Sequence, residues 1–95
     1  MAARDEPAGE SVNATIGRLD AERLRWRVVV EAWPAAQSYH GRLVFLPEAM
    51  PGQPAFESAP RQSGALLHGR TAEEIVIAAH ELPEKHIRAL LHSLA

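Results

Sequence analysis

"GRTAEEIVIAAHELPEKHIRALLHSLA", residues 69–95, decides the fold, because its "EEIVIAAH" run reads either as a buried strand or as a helix. Thr71 and Glu74 satisfy the S/T-x-x-E capping box, in which hydroxyl and carboxylate each accept a backbone N–H that a helix start leaves unpaired. Ala72, Ile75, Val76, Ala79 and Leu82 follow at helical spacing, and Glu73 and Glu74 fall in the first turn, where the helix dipole favours negative charge. Ile75, Val76 and Ile77 are β-branched and suit a strand as well. The cap and the spacing together predict a helix, which Pro83 ends; the same proline suits the first turn of the next. Beyond it Ile87, Leu90, Leu91 and Leu94 recur as i, i+3, i+4 and i+7, one apolar stripe on a second helix. Burying those four side chains is worth roughly 6 to 12 kcal/mol, and ordering the segment costs as much or more at roughly 1 to 2 kcal/mol per residue. This helix must therefore dock, on a sheet or on another subunit.

Working back towards the amino terminus, "LRWRVVVEAW" is the clearest strand. Leu24, Trp26, Val28, Val30 and Ala32 share one face, and Arg25, Arg27, Val29, Glu31 and Trp33 share the other. Pro34 lacks an amide proton and is expected to end the ladder. "YHGRLVFLP" predicts a second strand, with Tyr39, Leu43 and Phe45 on one face and His40, Arg42 and Val44 on the other; the short separation favours an antiparallel hairpin. The proline-rich stretch from Glu48 to Pro60 is a loop too long for a tight turn. "RQSGALLHG", residues 61–69, is the third strand, interrupted by Gly64. Residues 1–17 show no apolar period and read as a flexible tail, with Arg18 to Arg23 as a short helical turn. The expected fold is α+β: a three-stranded antiparallel sheet followed by two C-terminal helices packed on one face, forming a single domain over residues 18–95.

Composition sets limits on function. Ninety-five residues, 46% hydrophobic and 23% charged, suffice for one core and hardly for two. A domain this small is marginally stable alone, so self-association, with a homodimer as its simplest form, is expected. Ten basic against twelve acidic residues give a net charge of −2 and no global field for nucleic acid or anionic membrane. No cysteine is present, which excludes thiolate chemistry and fits a reducing, cytoplasmic compartment. No apolar run reaches the ~20 residues of a membrane helix, so no membrane partner is expected. Nine of the ten basic residues are arginine, which together with abundant alanine fits a bacterial chain from a GC-rich genome.

Two signatures carry a resemblance. "FLPEAMPG", residues 45–52, and "GRTAEEIVIAAHEL", residues 69–82, follow two predicted strands in the order strand, strand, Pro-acid segment, strand, Gly-x-Thr-x-Glu-Glu helix entry. From Leu24 to Leu82 the chain resembles HicB-like antitoxin domains. The resemblance implies a β-β-β-α domain that is not an enzyme and that pairs with a small toxin or with its own copy.

Chemistry-bearing residues are few. Five histidines are present, without an H-x-x-x-H or H-E-x-x-H pattern, and His86 and His92 lie about 240° apart around a helix, so no metal site is expected. Neither G-x-S-x-G nor a phosphate-binding glycine loop occurs, and no cofactor is expected. An enzyme would require a pocket bringing Glu31, His40 or His68 together. The candidate interaction face is Arg25, Arg27, Val29, Trp33, His40 and Arg42. Arginine beside an aromatic on a sheet serves protein interfaces and, as the rival class, single-stranded nucleic acid. The bland alternative is that Glu31 and other carboxylates neutralise these arginines and Trp33 closes the edge of the core.

Overall fold

The computed structural model describes residues 11–48 and 59–94. Its elements are β1 (Val12–Ala21), β2 (Leu24–Ala35), β3 (Ser38–Glu48), β4 (Arg61–Gln62), β5 (Leu67–Gly69), α1 (Ala72–His80) and α2 (Glu84–Ser93). The fold is α+β, an antiparallel sheet followed by two C-terminal helices. The strands run in the order β1-β2-β3-β4, with β5 also pairing with β3.

Strict alternation in β2 and β3 builds the core. Trp26, Val28, Val30 and Ala32 from β2 and Leu43 and Phe45 from β3 are buried on one face, where they meet Leu67, Ile75, Ala79 and Leu91. Fully burying a side chain such as Leu43, Ile75 or Leu91 is worth about 1.5–3 kcal/mol. The strand-or-helix ambiguity resolves as helix: Thr71 is the extended N-cap of α1, its hydroxyl accepting the Glu74 N–H at 3.1 Å. Pro83 is the N-cap of α2. Backbone approaches side chain closely at Gly41 on β3, where any Cβ would overlap Ile75 Cγ2, so this glycine lets α1 settle on the sheet.

Three expectations change. Residues 12–17, read as tail, and 18–21, read as part of a helical turn, form β1, paired along β2 from Val12↔Ala32 to Ala21↔Leu24. A β-bulge between Thr15, opposite Val29, and Gly17, opposite Val28, leaves Ile16 as an extra residue in the register, so the inward side chains fall at Ala14, Ile16, Leu19 and Ala21 and the two-residue period is lost. Residues 1–10 lie outside the described residues, as does most of the proline-rich loop and with it residues 49–52 of the first signature. Pro34 does not stop β2, which runs to Ala35 with Pro34 opposite Tyr39. Among the described residues pairing with β1 ends at Ala32, so no β1 partner there calls on the missing N–H. The third expected strand divides into β4 and β5, which together with β1 brings the sheet to five strands. Between the two pieces Ser63 is buried: its N–H donates to Leu43 O at 2.9 Å, and its hydroxyl accepts the Leu43 N–H at 3.0 Å.

Candidate functional site

Because the helices cover one face of the sheet, the other is shaped by the side chains that alternate away from them. Register places Trp33 opposite His40, Glu31 opposite Arg42, Val29 opposite Val44, and Arg27 opposite Leu46. On the β1 side Asn13, Thr15, Arg18 and Asp20 continue these rows; on the other side Gln62 lies beside Val44 and His68 beside His40. All six candidate residues, Arg25, Arg27, Val29, Trp33, His40 and Arg42, therefore stand on one surface. Near its middle lies an open depression of about 450 Å³, lined by apolar Val29, Val44 and Leu46, by charged Arg27, Glu31 and Arg42, and by Asn13, Thr15 and Gln62.

Most charge on this face is neutralised internally. Arg42 Nε donates to Glu31 Oε1 at 2.7 Å, with the two side chains only 13% and 18% exposed. Arg25 pairs with Asp20 at 3.1 Å, and Arg18 reaches Glu48 at 3.0 Å. Arg27 forms no ion pair among the described residues, and its buried Nε meets no acceptor. It is the exception on a surface whose other arginines are matched.

Trp33 stands on this face yet is 1% exposed. Arg42 lies 5.5 Å from its ring centroid, and the His40 ring approaches edge-on at 6.4 Å. His40 in turn meets His68 edge-to-face at 4.6 Å. Alternation alone reads Trp33 as a surface aromatic ready to stack on a base; burial removes that use. Its Nε1 and the Nδ1 of His40 are buried without a partner among the described residues.

Among the described residues Glu31 lines the depression and is engaged by Arg42, whereas neither His40 nor His68 lines it. Among the described residues no three His, Asp or Glu side chains gather into a metal-ligand set, and no helix is long and apolar enough to cross a membrane.

A second cluster had no signal in the sequence. Arg61, on β4, donates from Nη1 and Nη2 to the two oxygens of Glu22 at 3.0 and 2.8 Å and from Nη1 to Leu91 O at 3.1 Å. Its guanidinium lies 4.7 Å from the Trp26 ring centroid. His92 Nδ1 is 2.9 Å from Glu22 Oε2. Glu22 and Arg23 form the β1–β2 turn with φ of 53° and 65°, in the left-handed region that disfavours such residues. The carboxylate so placed ties the turn to β4 and to the end of α2. These contacts join residues 39 and 70 positions apart, beyond any local pattern.

No family model, curated protein or solved structure matches the chain.

Proposed function

We propose that the protein is a non-catalytic association module, whose open sheet face docks on a protein partner or on a second copy of the chain. The observation that carries this reading is the composition of that face: half-buried Val29, Val44 and Leu46 at the centre, ringed by arginines that are mostly paired with carboxylates. Partly apolar surfaces with arginine and a polar rim are what protein partners bury. Single-stranded nucleic acid asks for unpaired cations along a track and for exposed rings. Here Arg18, Arg25 and Arg42 are paired and Trp33 is buried, which favours protein over nucleic acid. An antitoxin-like role, with a small toxin from a neighbouring reading frame as the partner, is the specific form that the HicB-like resemblance implies. The chain works in the cytoplasm in this reading, in keeping with its lack of cysteine.

The test is light scattering of the pure protein together with co-purification of the neighbouring frame's product. A dimer or hetero-complex that Val44→Asp abolishes and Ile77→Asp, on exposed helix surface, leaves intact is the expected result. A monomer that ignores that product and instead binds oligonucleotide with steep salt dependence, lost in Arg25→Ala with Arg27→Ala, would overturn it in favour of nucleic acid.

A further inference from the structure

The geometry points to Arg27 as a carboxylate-binding anchor, taking an aspartate or glutamate side chain presented by a protein partner into the depression on the open sheet face. This deepens the association reading and rests on it.

A guanidinium carries five N–H donors in a planar fork matched to a carboxylate, and a buried donor without an acceptor is costly. Neighbouring arginines illustrate the rule: Arg42 has Glu31 at 2.7 Å and Arg25 has Asp20 at 3.1 Å. Arg27 has neither a carboxylate nor an acceptor for its buried Nε among the described residues, yet it lines the depression. Among the described residues, the one arginine of this face without an internal partner thus lines the depression that an external group can enter.

The surroundings choose the kind of anion. Val29, Val44 and Leu46 give the lining apolar surface, which suits the methylene stem of an acidic side chain better than a fully hydrated inorganic ion. About 450 Å³ falls within the roughly 300–1,000 Å³ of sites that take organic groups. Asn13, Thr15 and Gln62 add neutral hydrogen-bonding groups for a main chain lying alongside. Glu31 in the same lining disfavours the denser negative charge of phosphate, and Arg42, already held by Glu31, adds no free cation. A single carboxylate on an apolar stem satisfies Arg27 without crowding Glu31.

The full chain, ¹⁵N-labelled, is titrated with N-acetylglutamate N-methylamide, with the matching glutamine compound, and with a short oligothymidylate, following the Arg27 Nε–H signal and the Val29, Val44 and Gln62 amides. The glutamate compound is expected to shift these signals saturably in the millimolar range. The glutamine compound is expected to bind at least about tenfold more weakly, the factor that a charge-assisted hydrogen bond supplies. Arg27→Leu should abolish the response, Arg27→Lys should weaken it by losing the fork, and Lys85→Leu, on exposed α2 surface away from this face, should leave it unchanged. Equal binding of the two compounds, no response to either, or a response to oligothymidylate alone overturns the carboxylate anchor. None of these outcomes touches the Val44→Asp dimer or co-purification test, so the anchor can fail while the association reading stands.

Discussion

Arg61 grips both oxygens of Glu22, with Nη1 at 3.0 Å and Nη2 at 2.8 Å, bridging β4 and the turn between β1 and β2. The bridge holds the Glu22 carboxyl far down, from its ordinary 4.5 to about 2, first through the Arg61 hydrogen bonds and then with help from His92. A carboxyl whose pKa is depressed by folding contributes stability that is present above its unfolded pKa and lost as pH falls through the folded value. Urea denaturation at stepped pH is expected to show Glu22→Gln less stable than the parent at pH 7. That gap should hold down to about pH 4.5 and close between there and pH 2. A gap that is constant with pH would refute this assignment.

Gly41→Ala should destabilise the fold by about 1–3 kcal/mol, the usual range for overpacking, since the new methyl overlaps Ile75 Cγ2. Ile75 is fully buried and has little room to yield. Because the clash is with one side chain, Gly41→Ala should cost much less in an Ile75→Ala background. A double-mutant cycle by chemical denaturation measures this coupling.

Leu91 is the one fully buried residue of α2, whereas Ile87, Leu90 and Leu94 are partly covered. Leu91→Ala is expected to cost about 2–5 kcal/mol, enough to loosen α2 from the sheet. Ile77→Ala, at a position 49% exposed, should stay within about 0.5 kcal/mol. Thermal and urea unfolding compare the two, and hydrogen exchange should show faster α2 amides in Leu91→Ala alone.

Thr71→Ala removes the hydroxyl that accepts the Glu74 N–H. An N-cap of this type is worth about 1 kcal/mol. Thr71→Ser should retain most of that, which separates the hydrogen bond from the methyl group in the same unfolding measurement.

The two face sets of β2 and β3 are legible in the sequence because antiparallel strands with one covered face enforce a two-residue period. The helices are legible because a cap, a stripe and a proline are all local marks. The candidate face follows from the same period, so Arg25, Arg27, Val29, Trp33, His40 and Arg42 are found together. Their pairing is another matter, since a strand pattern says which side a residue takes but not which carboxylate comes to meet it. Arg42 with Glu31 and Arg25 with Asp20 depend on the β2–β3 and β1–β2 registers, and Arg27 stands out only once those neighbours are matched.

By itself the sequence determined an antiparallel sheet closed by two C-terminal helices, because alternation, capping and proline act within a few residues. Only the tertiary structure decided that Val12–Ala21 is a strand, since a bulge erases its period and the ladder of β2 supplies what its own residues do not signal. It also decided that Trp33 is buried and that Glu22, Arg61 and His92 meet, because both depend on groups brought together across the fold.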